Sequence, residues 1–414
     1  MNSRERVLAS INHKEPDRVP IDLGSSTVTG INAIAYDNLK KYLGITTGHT
    51  RIYDVVQQLA QVEDNIIDLF KIDVLDVGRT FNTTDQDWYD VHVNGIDAQF
   101  PNFFKPRHNP DDSYDILHSD GTVLGTMTKD ALVFDQTYYP CLHGYPDDYF
   151  EFQKMIRKVL STAVTNPPFS NIGQRHFWRT LRANATKLKE DSDKAIMLNL
   201  GIGTFELAST FRKWDKFLID AVKYPSKVEK LLDMLMTFNI ESLKVILGYV
   251  GDVIDIIRIG DDLGENKGPL ISPRIYRKLV KPTHVELCDF IKKHSSMKIF
   301  FHSCGSIAPI IPDLIEAGID ILNPVQISAR NMDPKYLKEN FGDDLTFWGG
   351  GIDTRNVINF KSPEEVKKHV LNLLEIFTPG GGYVWSAVHN ILAEVPPQNI
   401  IAAFEAIEEF NNKK

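Results

Sequence analysis

The feature that most constrains the fold is a regular alternation of short apolar runs with longer amphipathic stretches. The runs are rich in β-branched residues and recur along all 414 residues. In chain order they are RVPIDLG (18–24), IDVLDVG (72–78), AIMLNLGIG (195–203), VIDIIRIGDD (253–262), MKIFFHSCG (297–305), IDILNPV (319–325), LTFWGGGID (345–353) and GYVWSAVHN (382–390). Helical patterns such as 216–247 and 273–294 separate most of them. Apolar strands that alternate with helices predict a parallel sheet buried on both faces. Eight such strands predict an α/β fold of the (β/α)8 TIM barrel type, whose core needs about 250 residues.

The surplus length lies mainly between the second and third runs, at about residues 81–190. This region is rich in aromatic residues: Trp88, Tyr89, Phe103, Phe104, Tyr138, Tyr139, Tyr145 and Tyr149. Within it, YDILHSDGTVLGTM predicts a β-hairpin in which Asp120-Gly121 forms the tight turn. We therefore expect residues 1–414 to form one TIM-barrel domain with an aromatic-rich insertion, which either covers one end of the barrel or decorates its periphery.

Charge and cysteine content exclude several classes of protein. The 46 basic and 55 acidic residues give a net charge of −9, which disfavours nucleic acid or an anionic membrane as the main partner. No uncharged apolar run approaches the roughly 20 residues of a membrane span. The charged N-terminus lacks the apolar core of a signal peptide. Cys141, Cys288 and Cys304 are too few and too scattered for a disulfide framework. These features predict a cytoplasmic protein with reduced thiols.

Polar residues collect directly after the apolar runs. Barrel enzymes carry their chemistry at the C-terminal ends of the strands, so these residues are expected to surround one mouth. From the third run onward they are Gly201–Glu206, Asp261, Asp262, His302, Ser303, Cys304, Asn323, Trp348–Asp353, His389 and Asn390.

His302 and Cys304 form a candidate metal-binding pair. Two residues apart on an extended segment, they point to the same side of the chain and can both reach one Zn²⁺ at about 2.0–2.3 Å. His389, after the eighth run, is the best candidate for a third ligand, and Glu206, Asp261 or Asp262 could add a carboxylate. The alternatives are a buried structural pair, a satisfied core histidine, and carboxylates that cap helices or form salt bridges. The shared position at strand ends favours the metal site.

The two glycine triplets have different expected roles. Gly349 and Gly350 follow a strand, so their backbone is expected to approach a bound cofactor closely, with Asn323 beside them. Gly380–Gly382 precedes a strand and predicts a turn at the far end. Neither triplet is followed by Lys-Ser or Lys-Thr, which excludes a P-loop.

Several long segments resemble the uroporphyrinogen decarboxylase superfamily. The opening RERVLASINHKEPDRVPID is similar to the start of that family, and the similarity resumes across roughly 195–410. Its marked stretches are GDDLGENKGPLISPRIYRKLVKP, FHSCGSIAPIIPDLIEAGIDILNPVQ and GGGYVWSAVHNILAEVPPQNI. The resemblance implies the same (β/α)8 barrel.

The superfamily contains two main chemistries, and local residues discriminate between them. Porphyrinogen decarboxylases carry an arginine-rich segment just after the first strand, whereas residues 22–26 here read DLGSS. The corrinoid-dependent methyltransferases use a zinc site with His-x-Cys after one strand and a further ligand near the C-terminus. His302-x-Cys304 matches the first element. His389 falls where the methylcobamide:coenzyme M enzymes have a cysteine.

A zinc held by one thiolate and two imidazoles keeps more positive charge than a two-thiolate zinc, and is the better Lewis acid. The resemblance therefore implies an O-demethylase methyltransferase, which moves a methyl group from a small O-methyl donor, such as a methoxylated aromatic, to cob(I)alamin. The chain has no cobalamin motif of the Asp-x-His-x-x-Gly kind, so the cofactor would be carried by a partner corrinoid protein. Glu206, Asp261 or Asp262 would complete the zinc shell or protonate the leaving oxygen.

Three other functions stay open at this point. One is a methylcobamide:thiol methyltransferase, and a second is a decarboxylase-like lyase to which Arg79 contributes a cation. The third is a non-catalytic barrel that only binds a small molecule. The identity of the donor, the direction of transfer and the oligomeric state, with a homodimer as one option, are not specified by these residues.

Overall fold

The computed structural model describes residues 1–413 and shows a mixed α/β fold built on one curved parallel sheet. Within these residues the sheet has seven strands: β1 (Val74–Asp76), β2 (Ala195–Asn199), β3 (Ile256–Gly260), β4 (Lys298–His302), β5 (Ile321–Asn323), β6 (Thr346–Trp348) and β7 (Tyr383–Val384). Spatial order follows chain order, and each neighbouring pair is parallel. This is a TIM-barrel-like arrangement, which confirms the predicted fold class.

The first apolar run forms no regular strand, yet it lies between the two edges of the sheet. Ile21 makes a parallel bridge to Trp385, just after β7. The backbone N–H of Asp22 donates to the Trp385 carbonyl at 2.9 Å, and the N–H of Asp73 donates to the Ile21 carbonyl at 2.8 Å. Pro20 has no N–H to donate, and Gly24 turns the chain at φ +86°, so the pairing stays short.

Helices connect the strands and follow their sequence signals. Pro225, Pro334, Pro363 and Pro397 each open a helix, where the missing N–H has no cost. The α-helices are Ser3–Ile11, Ala33–Tyr42, Asp64–Leu69, Tyr149–Ile156, Leu160–Ala163, Phe177–Asp191, Phe205–Arg212, Trp214–Lys223, Pro225–Val250, Pro273–Ile275, Lys281–His294, Ile311–Glu316, Pro334–Phe341, Pro363–Phe377 and Pro397–Asn411. A π-helical turn spans Tyr276–Val280, and 3-10 turns span Val77–Thr80, Asp85–Asp87, Phe169–Asn171 and Ala308–Ile310. Across residues 1–413, no helix combines the length and hydropathy that crossing a membrane requires.

The region between β1 and β2 contains two small antiparallel sheets. One pairs Trp88–Val93 with Ile96–Pro101. The other joins Arg107–His108, Tyr114–Leu117, Val123–Met127 and Asp135–Gln136. Gly121 adopts φ +87° between the paired strands Tyr114–Leu117 and Val123–Met127, which confirms the predicted hairpin.

The predicted insertion range of about 81–190 includes a helix that packs on a helix outside that range. The helix Phe177–Asp191 falls inside the predicted range 81–190, but it packs on the helix Pro225–Val250, with the rings of Trp178 and Tyr249 stacked at 5.6 Å. The division into a single domain over 1–414, with an insertion at about 81–190, stays a prediction.

The interior of the barrel changes from apolar to polar along the strands. Alternate residues of a strand point to the same face. One buried cluster holds inward residues of every strand: Val74, Ala195, Met197, Ile256, Phe300, Ile321, Trp348 and Val384. Val7 and Ile11 of the helix Ser3–Ile11 belong to the same cluster and close the end where the strands begin. Two residues beyond Ile256 and Phe300 come Arg258 and His302, which begin a polar layer at the opposite end.

Candidate metal centre at the barrel mouth

The structure brings His302, Cys304 and His389 together at the C-terminal end of the sheet. One ligand atom from each lies within 4.8 Å of the others. The Cys304 Sγ is 3.6 Å from the His302 Nε2, and the two imidazole rings are 5.3 Å apart between centroids. A nitrogen and a sulfur bound to one tetrahedral zinc are separated by about 3.5 Å. The three predicted ligands are therefore spaced as donors to a single ion.

The orientation of His302 is set by Asn323 at the end of β5. The amide Nδ2 of Asn323 donates to the Trp348 carbonyl at 2.9 Å, so its Oδ1 is the atom that faces His302. The His302 Nδ1 lies 2.6 Å from this oxygen and is therefore the protonated nitrogen. Its Nε2 is left as a lone-pair donor pointing toward Cys304. An outer hydrogen bond of this kind fixes the tautomer of metal-binding histidines. Asn323 thus orients a ligand, whereas its predicted cofactor contact stays a prediction.

His389 reaches the site from a backbone conformation that few residues adopt. Its φ is 64°, in the left-handed region, which costs a non-glycine residue about 1 kcal/mol. The next residue anchors the segment: Asn390 accepts from the Gly30 N–H at 2.7 Å and donates to the Thr27 carbonyl at 3.0 Å. These bonds to the N-terminal segment hold the His389 ring inward.

The protonation states of the three side chains suit a metal. Burial, which disfavours the imidazolium, lowers the pKa of His302 and of His389 to about 3, so both rings are neutral. Burial, together with the carboxylates of Asp262 and Glu206, raises the pKa of the Cys304 thiol. An incoming cation would displace that thiol proton and be bound by the thiolate. The donor set therefore fits a zinc ion.

Asp262 lies directly beside these ligands. The Cys304 N–H donates to its Oδ1 at 2.8 Å, and the same oxygen is 3.6 Å from the His302 Nε2. Its side chain is 34% exposed, so it faces the open mouth rather than the core. Asp262 is the carboxylate placed to contact a bound ion or its ligand.

Asp261 points the other way and is fully buried. Its two oxygens accept from the N–H groups of Thr204 at 2.9 Å and Glu206 at 2.8 Å, and from the His284 Nε2 at 2.9 Å. The Tyr276 hydroxyl lies 3.0 Å from the other ring nitrogen of His284. Asp261 therefore anchors the segment that carries Glu206, and each of its oxygens already accepts a hydrogen bond from the chain. His284 had no sequence signal, because it lies on an ordinary amphipathic helix.

Glu206 lies in the first turn of the helix Phe205–Arg212 and is partly buried. Its Oε2 is 3.4 Å from the Asp262 N–H. Burial and the nearby carboxylates of Asp262 and Asp261 raise the pKa of Glu206 to about 8. A carboxyl group with a raised pKa is the candidate proton donor of the site.

Close packing accounts for the two predicted cofactor-binding glycines. Gly349 adopts φ 120°, and a Cβ there would lie 2.1 Å from the Pro324 carbonyl oxygen. Gly350 adopts φ 64°, and a Cβ there would lie 3.3 Å from the Val325 Cβ. Both are buried where the backbone after β6 presses on the backbone after β5. Their contact with a cofactor stays a prediction.

Arg258 is a polar residue of the mouth that the sequence analysis did not single out. It lies on β3 between Asn199 of β2 and Phe300 of β4, its parallel partners, and points into the barrel. Burial lowers its pKa, and Glu206 and Asp262 are its two strongest charged neighbours. A basic residue inside the apolar stretch 256–259 is the signal that could have identified it.

A small cavity lies beside the mouth, where β1 ends. It has a volume of about 20 Å³, room for about one water molecule, and is lined by Tyr53, Asp76, Arg79 and Trp88 among others. Arg79, the cation required by the lyase alternative, forms an ion pair with Asp64. It is therefore not a free carboxylate-binding group.

A family model and one solved structure agree with this architecture. The family model described as uroporphyrinogen decarboxylase (URO-D) matches residues 179–410. A methyltransferase from Methanosarcina mazei has a similar fold, with 17% sequence identity, a TM-score of 0.58 and 99% of each chain covered. A protein named as a vitamin-B12-independent methionine synthase from Listeria monocytogenes aligns with 13% identity and a TM-score of 0.40, covering 96% of this chain and 98% of that one. No curated protein matches the sequence significantly. The matched span is more than half of the chain and contains the whole candidate metal centre, so the chain belongs to the uroporphyrinogen decarboxylase (URO-D) family.

Proposed function

We propose that this protein is a zinc-dependent methyltransferase that moves a methyl group from an O-methyl donor to the cob(I)alamin of a separate corrinoid protein. The observation that carries the proposal is the donor set of His302, Cys304 and His389, which offers one thiolate and two neutral imidazoles. A zinc ion bound by one thiolate keeps more positive charge than a zinc ion bound by two. That charge suits activation of an ether oxygen more than binding of a thiol.

When bound, zinc would supply a Lewis acid that draws electrons from the ether oxygen of the donor. Other residues of the chain hold the candidate metal ligands in their orientation. Asn323 orients the His302 ring, and the Asp262 carboxylate fixes the Cys304 backbone through a 2.8 Å hydrogen bond. Such pre-organised ligands lose little entropy when the donor binds.

Glu206 would serve as the general acid. As the methyl carbon–oxygen bond breaks, the oxygen keeps the bonding electrons and the methyl carbon passes to the cob(I)alamin. The proton from Glu206 neutralises the oxygen, so the demethylated product leaves as an alcohol or phenol. The 2.8 Å bond from the Glu206 N–H to Asp261 holds the loop from which this acid acts.

Two features weigh against the lyase alternative. The segment at residues 22–26 has no cation and Arg79 is already paired with Asp64, so among these groups a multiply charged substrate would have Arg258 alone to bind its carboxylates. Decarboxylation of a multiply charged substrate also leaves a metal-type donor set without a purpose.

The test is metal analysis combined with a methyl-transfer assay. We expect about one zinc per chain, and formation of methylcobalamin from cob(I)alamin and methoxylated aromatics, both neutral and acidic. Cys304→Ala should lose zinc and methyl transfer together. Cys288→Ala is the matched control, since Cys288 is buried in the helix Lys281–His294, away from the mouth. Metal-free protein with full methyl-transfer activity would contradict the proposal, as would release of CO₂ without methyl transfer.

A further inference from the structure

Arg258 is an arginine deep in the barrel whose guanidinium has almost no partner. Its one hydrogen bond, from Nη1 to the Leu200 carbonyl, is 3.5 Å long, and its Nε is sealed from solvent with no acceptor. Within residues 1–413 it forms no ion pair. At the other end of the barrel, Arg6 and Arg18 both bind Asp73, at 2.8 and 2.7 Å. The chain therefore supplies partners to its structural arginines but not to Arg258.

The unpaired guanidinium faces the candidate metal centre. Arg258 keeps a partly accessible surface although β3 is otherwise largely buried, so its accessible part lies against the open mouth. The acidic side chains with the strongest electrostatic influence on it are Glu206, Asp262, Asp54 and Cys304, and the Asp262 carboxylate in turn accepts from the Cys304 N–H at the mouth. Its strand neighbour Phe300 is fully buried in the apolar cluster, so Arg258 lies at the boundary between that cluster and the polar layer of the mouth.

A purely structural role does not explain this residue. A guanidinium taken out of water loses its hydration and is stabilised only if acceptors replace it. Here a single weak bond replaces it, whereas an apolar side chain at the same place would extend the cluster around Phe300 and Ile256. The acceptor that is missing from the chain is therefore expected on a ligand.

We propose that Arg258 binds a carboxylate of the methyl donor, which makes the donor a methoxylated aromatic acid. This inference rests on the proposed function and extends it to the substrate class. A planar guanidinium matches a carboxylate in shape and charge, and its flat face can also stack on an aromatic ring.

The test is direct binding by calorimetry to zinc-loaded protein, without corrinoid, of the three methoxybenzoates and of their neutral amides. Arg258→Met removes the charge at similar volume. We expect it to weaken binding of the best methoxybenzoate by about 10- to 100-fold, the range for a lost charge-assisted hydrogen bond, and to change binding of the amide by less than about threefold. Arg258→Lys, which keeps the charge but not the planar fork, should recover part of the loss.

Arg79→Met is the matched control, because Arg79 lies at the same end of the barrel but is already paired with Asp64. It should bind the acid as the parent protein does. Zinc content and thermal midpoint, measured on every variant, establish that each one is folded and loaded.

The proposal is overturned if no methoxybenzoate binds in preference to its amide, or if Arg258→Met binds the acid unchanged. These outcomes are separable from failure of the proposed function. Arg258-dependent acid binding without methyl transfer would refute the methyltransferase and keep the carboxylate site. Methyl transfer from acids and amides with equal efficiency would support the methyltransferase and refute the carboxylate site.

Discussion

His302 and Asn323 are joined by a 2.6 Å hydrogen bond between two neighbouring barrel strands, and this bond decides which imidazole nitrogen faces the metal position. Both residues are buried, so no water competes for it. The pair shows that the candidate centre extends beyond its three ligands, into the wall of the barrel.

Asn323→Ala should therefore weaken zinc binding although it removes no ligand. Loss of an outer partner of this type costs about 10- to 100-fold in metal affinity. Competition with a chromogenic chelator measures the change. Asn399→Ala is the control, because Asn399 is equally buried but bonds only to the Ile358 and Lys361 carbonyls. If both variants lose zinc equally, the effect is general destabilisation and the orienting role is wrong.

His389→Asn separates the backbone of His389 from its ligand role. Asparagine tolerates the left-handed region, so the stability of the metal-free protein should change by no more than about 1 kcal/mol. Zinc affinity should fall by more than about 100-fold, beyond the effect of an outer partner. His176 is exposed and has the same φ of 64°, so His176→Asn tests the backbone alone. Unchanged zinc affinity in His389→Asn would remove this residue from the ligand set.

Asp261 and Glu206 should respond to amide substitution in opposite ways. In Asp261→Asn one oxygen becomes an NH₂ group facing N–H donors, which should lower the free energy of unfolding by about 3 kcal/mol in urea titrations. Glu206→Gln should leave unfolding unchanged and slow methyl transfer by about 10²- to 10⁴-fold. A stable Asp261→Asn protein that lacks only activity would instead make Asp261 the catalytic acid.

Asp76 should make the stability of the protein depend on pH. Burial raises the pKa of this carboxyl from 3.8 to about 7. Because the folded pKa lies above the unfolded value, the contribution to stability is complete below about pH 4. It is lost as the pH rises through about 7.

Asp76→Asn should therefore flatten the loss of stability between about pH 4 and 7, measured by urea unfolding across that window. Asp252→Asn is a suitable control, since the ion pair with Arg182 lowers the pKa of Asp252 to about 2 and places its effect below the window. An equal slope in Asp76→Asn and the parent protein would show that Asp76 does not titrate there.

The alternation of runs and helices predicted most of the fold because both the strands and their connections leave a periodic apolar pattern. The run at 18–24 was expected to be a full strand, but only Ile21 makes a strand bridge there. The strand pairing of this run is short because Pro20 has no N–H to donate. Its remaining hydrogen bonds come from Asp73 and Trp385, which lie far away in the chain and leave no pattern in the local sequence.

That His302, Cys304 and His389 lie together was predictable because all three candidate ligands follow apolar runs, and parallel strands bring their ends to one side. The separate roles of Asp261 and Asp262 were not predictable from the sequence. Adjacent residues on a strand end point in opposite directions, and the partner that distinguishes them, His284, comes from a helix elsewhere in the chain. Arg258 lies within an apolar run, and a single charge inside a strand does not by itself indicate a functional residue.

The helix Ser3–Ile11 affects the order in which the methyl donor and the corrinoid protein of the proposed reaction would bind. Val7 and Ile11 fill the lower end of the barrel, and the Ser10 hydroxyl bonds to the Tyr383 carbonyl at 2.6 Å, so that end is closed. Under the proposed function, the small donor and the bulky corrinoid protein must then use the same entrance. A corrinoid protein seated there would block diffusion of the donor, so the donor has to bind first. The demethylated product has to wait until the corrinoid protein dissociates. Under the proposed function, a closed lower end thus predicts a compulsory-order kinetic scheme.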